Sequence, residues 1–184
     1  MEVISTRIPD VKLIKPKVCE DSRGFFMETW NARELARAGI EAEFVQDNHS
    51  FSFRHTLRGL HYQLRHPQGK LVRIIQGEVF DVAVDLRKNS PTFGDWVGVL
   101  LSHQNHHQLW VPPGFAHGFY VLSQSAHFLY KCTDYYSPGD EYSIIWDDPQ
   151  LNIDWPRKLG DPIYISEKDL CAPAFEEVVP FFGF

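Results

Sequence analysis

The sequence has few cysteines, and none of them are paired. Cys19, Cys132 and Cys171 are odd in number, widely spaced and without a Cys-x-x-Cys motif. A disulfide framework or a zinc knuckle needs paired or closely spaced cysteines, so neither is predicted. We therefore expect a protein of the reducing cytoplasm.

The sequence also lacks a long apolar run. The first twelve residues contain no apolar segment typical of a signal peptide, and no stretch approaches the roughly 20 residues that a helix needs to cross a bilayer. No Gly/Ser-rich linker divides the chain. We expect a soluble, unprocessed protein with no membrane partner, folded as one domain over residues 1–184.

A surplus of positive charge is missing as well. The chain has 18 Lys and Arg against 24 Asp and Glu, a formal net charge of −6. Holding a nucleic-acid backbone requires a surplus of cations on one face, so no nucleic-acid partner is expected. A nucleotide-sized anion needs only two or three cations. Aromatic residues make up 14% of the chain, which favours strands and offers flat surfaces for a sugar or a base.

Short strand-like segments separated by turn residues dominate the chain. The predicted strands are residues 11–18, 24–30, 44–49, 57–64, 70–75, 79–86, 96–102, 107–111, 119–122 and 126–135. The first has the partial alternation of an edge or half-exposed strand. Their regular spacing predicts a mainly β sandwich or barrel. Only short peripheral helices are expected, one over 31–38 capped by Asn31 and a helical turn over 166–170 capped by Ser166.

His61 lies in the strand-like run from Arg58 to Gln63. In a regular strand, Arg58 and His61 point to opposite faces of the sheet. A bulge at Gly59 would bring both side chains into one cavity. A lone histidine in a strand is more often a packed core residue, so its function depends on its partners.

Residues 112–117 contain the Pro-x-Gly-x-x-His element of the cupin jelly roll, which aims a histidine, here His117, into the barrel. This predicts a cupin-type double-stranded jelly-roll barrel. Metal-binding cupins add His-x-His and a glutamate, but here Gln63 replaces the second histidine and the glutamate is missing. Arg58 and Lys70 further disfavour a divalent cation. We expect neither a metal nor a cofactor.

A cavity that combines a histidine, cations and aromatic residues is suited to proton abstraction beside a ketone. That reaction requires a base, a group that stabilises the enolate oxygen, and an acid that returns the proton. His61, Lys70 and a tyrosine would supply all three.

Six motifs occur in the order found in dTDP-4-dehydrorhamnose 3,5-epimerases, and the chain resembles that family from about Val3 to Leu170. The motifs are Phe44–Ser50, Arg58–Gln63, Gly69–Arg73, Gly77–Asp85, Pro113–Gly118 and Ser166–Asp169. The resemblance implies epimerisation of dTDP-4-dehydro-6-deoxy-D-glucose at C3 and C5 to dTDP-4-dehydro-L-rhamnose. The product would enter dTDP-L-rhamnose biosynthesis and a cell-surface polysaccharide such as the O-antigen of lipopolysaccharide.

The resemblance also implies the catalytic roles. His61 corresponds to the general base that removes the C3 and C5 protons, and Asp169 would bond its other imidazole nitrogen. Lys70 would face the C4 oxygen as that oxygen gains negative charge. Tyr130 matches the acid on the opposite face of the sugar, which makes reprotonation an inversion.

The substrate-binding residues are likewise implied by the resemblance. Arg23 and Arg58 match the cations that hold the pyrophosphate. The other matching positions, which line the nucleotide and sugar site or make further contacts, are Phe26, Glu28, Gln46, Asn48, His117, Glu141 and Lys168. In relatives the residues around Arg23 to Glu28 reach the site of the neighbouring subunit by strand exchange, which implies a homodimer.

Local sequence is also compatible with purely structural roles for several of these residues. Asp169 fits equally well as part of a helix cap, and Tyr135 and Tyr136 rival Tyr130 as the acid. Surface or structural roles also fit Arg23, Glu28, Gln46, Asn48 and Glu141. The apolar tail Phe181–Phe184 is expected to dock on this subunit or on a neighbour.

Three further functions remain open. The nearest is a mono-epimerase or ketoisomerase acting on a related nucleotide sugar, which would share the base and differ in pocket shape near Tyr136. The second is a metal-dependent cupin oxygenase, and the third is a sugar-binding cupin without catalytic activity.

Overall fold

The computed structural model describes residues 1–181, and over that range the chain is built almost entirely from short strands. The strands are β1 (Glu2–Ser5), β2 (Lys12–Lys15), β3 (Val18–Asp21), β4 (Gly24–Met27), β5 (Gln46–Phe53), β6 (Leu57–Gln63), β7 (Lys70–Gln76), β8 (Glu78–Asp85), β9 (Trp96–Ser102), β10 (Gln108–Val111), β11 (Phe115–Val121), β12 (Ser125–Cys132) and β13 (Glu141–Ser143). The helices are α1 (Ala32–Arg37), α2 (Glu167–Leu170) and the 3-10 turns Pro138–Asp140 and Phe175–Glu177.

Two antiparallel sheets face each other as a barrel. One has six strands in the order β1-β2-β10-β7-β12-β5, and the other has five in the order β13-β6-β11-β8-β9. Strands β3 and β4 form a separate hairpin. The neighbouring strands come from distant parts of the chain, as expected for a jelly roll. The mainly β, cupin-like fold is therefore confirmed.

The main core fills the space between the two sheets. Val72 and Ile74 of β7 and Phe128 of β12 pack there against Ala83 of β8 and Phe119 of β11. The rings of Phe119 and Phe128 stack across the barrel with centroids 4.2 Å apart. Because side chains alternate along a strand, every second residue of each strand points into this interior.

The segment after β13 covers the outer face of the five-stranded sheet. Leu151, Trp155 and Phe175 are buried there against the outward residues of β6, β8 and β11. Phe181 is buried on this same subunit, where its backbone N–H donates to Leu86 and its ring contacts Tyr62. The rest of the predicted apolar tail, residues 182–184, lies outside the described residues.

Most predicted elements are present, and the differences are in where strands begin, end and divide; β1 and β13 were not predicted. Asn31 caps α1 as expected, accepting hydrogen bonds from the backbone N–H groups of Arg33 and Glu34, and Ser166 caps α2. The expected strand over 11–18 is divided between β2 and β3. β2 is not an edge strand, because β1 pairs with its other side. β12 ends at Cys132 instead of continuing to Tyr135. Neither α-helix within residues 1–181 is long and apolar enough to cross a membrane.

The buried carboxylate of Asp85 anchors the loop that follows β8. It accepts hydrogen bonds from Arg87 Nε (2.9 Å), Ser90 Oγ (2.7 Å) and Thr92 Oγ1 (2.7 Å). Burial alone would raise the pKa of Asp85, but these hydrogen bonds lower it below its ordinary value. The carboxylate therefore stabilises the fold at pH values above the pKa of an unfolded aspartate, and this stabilisation is lost as the pH falls through the lowered folded-state value.

We expect Asp85→Ala to lower the free energy of unfolding at pH 7 by about 3 kcal/mol, because it leaves the largely buried Arg87 without its main partner. Urea unfolding followed by tryptophan fluorescence measures this. The matched control is Asp47→Asn, which removes the exposed ion pair with Lys131 and should change stability little. The difference between wild type and Asp85→Ala should shrink as the pH falls through the folded-state pKa. Equal losses in both variants would contradict the anchoring role.

Candidate active site

A bulge in β6 brings Arg58 and His61 to the same cavity. His61 pairs with His117 of β11 and Arg58 pairs with Phe119, so the two residues between them on β6 lie opposite a single residue of β11. Gly59 has φ of +124°, and a Cβ there would lie 2.5 Å from the Cα of Gly118. Only glycine allows this close approach of the two strands. Arg58 and His61 therefore line one cavity, as the bulge at Gly59 predicts.

His61 and Asp169 form a hydrogen-bonded pair at this cavity. His61 Nε2 lies 2.7 Å from Asp169 Oδ1, and the side chains are 28% and 5% exposed. Burial alone would raise the pKa of Asp169, but the hydrogen bonds from His61, Gly59 and Ser166 and the attraction of His61 lower it. An ionised carboxylate only accepts hydrogen bonds, so His61 Nε2 carries a proton, and in the neutral imidazole Nδ1 holds the free lone pair. The imidazole is thus oriented with Nδ1 available as a base.

The cap of α2 positions Asp169 for this contact. Its backbone N–H donates to Ser166 Oγ at 3.1 Å, while its carboxylate accepts from His61 and from the backbone N–H of Gly59 at 3.3 Å. Asp169 therefore takes part in the cap of α2 and is also the hydrogen-bond partner of His61.

Lys70 and Tyr130 point into the barrel from the six-stranded sheet. Lys70 alternates with the interior residues Val72 and Ile74, and Tyr130 packs against the core beside Phe128. Within residues 1–181, neither Lys70 Nζ nor the Tyr130 hydroxyl has a hydrogen-bond partner. Burial lowers the pKa of Lys70 and raises the pKa of Tyr130 to about 12. The tyrosine thus remains protonated, and a potential proton donor, at neutral pH.

Glu141 connects the parts of the site electrostatically. Its carboxylate accepts hydrogen bonds from Lys168 Nζ and from the Tyr136 hydroxyl, the latter at 2.8 Å. Burial alone would raise the pKa of Glu141, but these hydrogen bonds and the charge of His61 lower it. Its charge also acts on Lys70 and on Tyr130. Glu141 therefore interacts electrostatically with the base candidate, the cation and the tyrosine.

Polar residues of β5 and β6 line the rim of the site. Gln46 Nε2 donates to Asn48 Oδ1 at 3.0 Å, and Asn48 lies directly opposite Tyr130 in the β5–β12 ladder. The guanidinium of Arg58 is held by Ser52 Oγ at 2.9 Å and by the Phe51 carbonyl at 3.4 Å. A guanidinium has five N–H donors, so others remain for a phosphate. Lys168 adds a second cation to the lining of the same cavity.

His117 has a buried partner that sequence reasoning did not identify. His117 Nε2 lies 3.0 Å from both carboxylate oxygens of Asp81, which is fully buried in β8. The available signal was the strand pattern, in which Asp81 alternates with the interior residues Val79 and Ala83. A carboxylate at such a position needs a partner inside the barrel.

Three predicted binding residues lie apart from this group. Arg23, Phe26 and Glu28 belong to the β3–β4 hairpin and the residue that follows it. Arg23 is bonded to Asp21, Glu28 accepts from Asn31, and Phe26 is 75% exposed. Within residues 1–181, none of the three forms a hydrogen bond or ion pair with the residues around His61.

Metal-ligating side chains are not clustered in this part of the chain. Among residues 1–181, no group of three or more His, Cys, Asp or Glu is placed to hold a metal ion. The two central histidines are each bonded to an aspartate.

Comparison with known proteins gives consistent results over nearly the whole chain. The family model described as dTDP-4-dehydrorhamnose 3,5-epimerase matches residues 5–177. A dTDP-4-dehydrorhamnose 3,5-epimerase of Pseudomonas aeruginosa is 57% identical, with 96% of this chain and 97% of the relative covered. One of Shigella flexneri is 56% identical, with 95% and 96% covered.

A solved structure shares the fold. It is the dTDP-6-deoxy-D-glucose-3,5-epimerase of Legionella pneumophila in complex with dTDP-4-keto-L-rhamnose. The two chains superpose with a TM-score of 0.95 at 52% sequence identity, over 100% of this chain and 99% of the other.

Proposed function

The chain belongs to the dTDP-4-dehydrorhamnose 3,5-epimerase family, and from this premise we propose how its own residues carry out the reaction. The enzyme is an isomerase of dTDP-rhamnose biosynthesis that epimerises dTDP-4-dehydro-6-deoxy-D-glucose at C3 and C5 to dTDP-4-dehydro-L-rhamnose. The observation that carries the mechanism is the His61–Asp169 pair, which leaves a free imidazole nitrogen at a cavity lined by cations.

His61 removes a proton from the carbon next to the C4 ketone. Its Nδ1 accepts the proton, and the bond from Nε2 to Asp169 stabilises the imidazolium that forms. Asp169 is suited to this task because its pKa is lowered and it remains a carboxylate.

Lys70 stabilises the enolate oxygen at C4. Its ammonium has no hydrogen-bond partner within residues 1–181, so its donors are available to an oxygen that gains charge. Partial burial strengthens the interaction, because fewer water molecules compete for the charge.

Tyr130 returns a proton to the opposite face of the sugar, so that the carbon is inverted. With a pKa of about 12 its hydroxyl is protonated at neutral pH. After each inversion the His61 imidazolium releases its proton to solvent and the Tyr130 phenolate takes one up. The same three groups can then act at C3 and at C5, because both carbons neighbour the C4 ketone. No step requires a metal or an organic cofactor, and we propose a cofactor-free reaction.

The nucleotide part of the substrate would be held by charge and by flat surfaces. Arg58 would bind the pyrophosphate together with Arg23, since a guanidinium fork matches phosphate oxygens. The remaining proposed contacts to the nucleotide and the sugar come from Phe26, Glu28, Gln46, Asn48, His117, Glu141 and Lys168.

The exposed hairpin supports a homodimer. Phe25 and Phe26 are 57% and 75% exposed, and the Arg23 side chain is 87% exposed. Exposed aromatic residues grouped on one hairpin are typical of a surface that meets another chain. We propose that the hairpin completes the site of the partner subunit by strand exchange, which accounts for its separation from His61 in its own chain.

The cellular setting is part of the proposal. Cys19, Cys132 and Cys171 are free thiols, which fits a reducing cytoplasm. We propose that residues 1–184 act as one epimerase domain there. The product would be destined for a cell-surface polysaccharide such as O-antigen.

The deciding experiment is proton NMR of dTDP-4-dehydro-6-deoxy-D-glucose in D2O with the purified, chelator-treated protein. We expect deuterium at both C3 and C5 together with formation of the L-sugar. Exchange at C3 or C5 alone would instead indicate a mono-epimerase. Binding without exchange would indicate a sugar-binding protein. Activity that appears only after iron is restored would indicate a metal-dependent enzyme.

A further inference from the structure

A second histidine–aspartate pair lies inside the barrel, beside the first. His117 of β11 is directly opposite His61 in the β6–β11 ladder, and its Nε2 is 3.0 Å from each oxygen of Asp81. The Asp81 side chain is 0% exposed and the His117 side chain 8%. A fully buried carboxylate is costly unless other groups compensate its charge.

Lys70 is the cation that faces this pair. Lys70 alternates with the core residues Val72 and Ile74 on β7. Asp81 alternates with Val79 and Ala83 of the same core on β8, so the two side chains point into one interior from opposite sheets. Each of the two groups also shifts the pKa of the other.

Cys132 of β12 and Glu141 of β13 also act electrostatically on Lys70. The titratable side chains of His117 and Tyr130 pack beside Phe128 in the same interior. Strands β9 and β10 contribute no titratable residue.

Of Asp81, Cys132 and Glu141, Asp81 is the one whose carboxyl group is fully buried in the barrel and bonded to a histidine there. Burial raises the pKa of the Cys132 thiol, which keeps it neutral at pH 7. The Glu141 carboxylate is already bonded to Lys168 and to Tyr136. The pKa of Asp81 is raised, because burial outweighs the opposing effects of His117 and Lys70.

We propose that Asp81 is a positioning residue whose buried carboxylate compensates the charge of Lys70 and fixes the His117 ring. Asp81 itself does not touch the substrate. It acts by keeping Lys70 protonated at the pH of the reaction, so that an ammonium and not an amine meets the enolate oxygen. This inference rests on the proposed function, in which Lys70 stabilises the enolate.

The test is the pH profile of Asp81→Asn, a substitution that keeps the shape and removes the charge. An opposite charge nearby favours the charged form of a lysine by about one to three pKa units. We therefore expect the alkaline fall of kcat to begin at least about one pH unit lower than in the wild type. At pH 8, kcat should be reduced on the order of tenfold, with KM little changed.

Asp85→Asn is the matched control, because Asp85 is also a fully buried aspartate of β8 and its bonding partners lie in the loop after that strand, away from the site. It should reduce stability and leave the pH profile of kcat unchanged. If Asp81→Asn lowers kcat equally at every pH, its role is structural and the proposal is overturned.

A second measurement separates this inference from the reaction itself. Pulse labelling with acetic anhydride, followed by peptide mass spectrometry, reports the fraction of Lys70 that is unprotonated at each pH without any turnover. We expect Lys70 to become reactive at lower pH in Asp81→Asn than in the wild type. Unchanged reactivity would overturn the role of Asp81, even if the wild type is an active epimerase. Conversely, a shift in a protein that exchanges no substrate protons would leave the charge pairing intact and overturn the proposed function.

A further test covers the case in which Asp81→Asn does not fold. Carbon-13 NMR of the Asp81 carboxyl carbon in the wild-type protein reports its ionisation directly. The proposal requires a carboxylate at pH 7.5, and a protonated carboxyl group there would overturn it.

Discussion

We expect His61→Ala to reduce kcat by about 10⁴-fold, because it removes the group proposed to abstract both protons. Neither Asp169 nor Glu141 can replace it. Asp169 lies behind the imidazole, bonded to its Nε2, and Glu141 is bonded to Lys168 and Tyr136. The measurement is the rate of deuterium incorporation at C3 and C5, together with formation of the L-sugar.

Binding of the nucleotide should survive the same substitution. The pyrophosphate is assigned to Arg58 and Arg23, and the guanidinium of Arg58 is held by Ser52 and Phe51 independently of His61. Titration calorimetry with dTDP should give a Kd within a few-fold of the wild type. A near-native rate in His61→Ala would refute its role as the base.

His66→Ala is the matched control for His61→Ala. The His66 side chain is 57% exposed and its only charged partner within residues 1–181 is Asp134, 3.6 Å away. Its removal should leave both turnover and dTDP binding unchanged. A loss as large as that of His61→Ala would show that the assay reports general damage to β6 and the loop after it.

Tyr130→Phe should separate proton exchange from inversion. Without the phenol, His61 still removes a proton, exchanges it with solvent and returns deuterium to the same face. Net inversion should fall by about 10²-fold or more, while exchange at C3 and C5 falls much less. Both rates come from one NMR time course in D2O.

Tyr135→Phe and Tyr136→Phe are the comparison variants. Tyr135 is 65% exposed, and the Tyr136 hydroxyl is already bonded to Glu141. Neither substitution should uncouple exchange from inversion. If one of them does so and Tyr130→Phe does not, the acid is that residue. Equal loss of exchange and inversion in Tyr130→Phe would also move the acid role elsewhere.

Sequence spacing alone could not identify which of Tyr130, Tyr135 and Tyr136 is the proposed acid. The expected strand over residues 126–135 would have placed all but Tyr136 on one strand. In the structure β12 ends at Cys132. Tyr130 lies within the strand and packs against the core, whereas Tyr135 and Tyr136 follow the strand and lie at the surface. The end of the strand depends on its pairing with β5 and β7, which local sequence does not encode.

Asp169 has two roles, and local sequence predicted only one of them. Its place in a helix cap was readable from Ser166 at the start of the last motif, because capping is a local interaction. Its bond to His61 joins residues 108 positions apart. Only the resemblance to a family pointed to that partner before the fold was known.

The partner of Asp81 was not predicted, because alternation with Val79 and Ala83 shows only that the three residues share a face of β8, and both faces of that strand carry apolar residues. A charged residue in a strand is most simply explained by a solvated face. Its burial becomes evident only when β8 is placed between β9 and β11, with its inner face toward Lys70. His117, by contrast, was predicted to point into the barrel because a proline–glycine motif precedes it.

The sequence by itself determined the mainly β architecture, the two helix caps and the glycine that makes the bulge in β6. These depend on alternation, turn chemistry and backbone freedom, which act over a few residues. The tertiary structure alone decided which side chains meet: His61 with Asp169, His117 with Asp81, and Glu141 with Lys168. Such pairs depend on strand register, and a shift of one residue turns a side chain from one face of the sheet to the other.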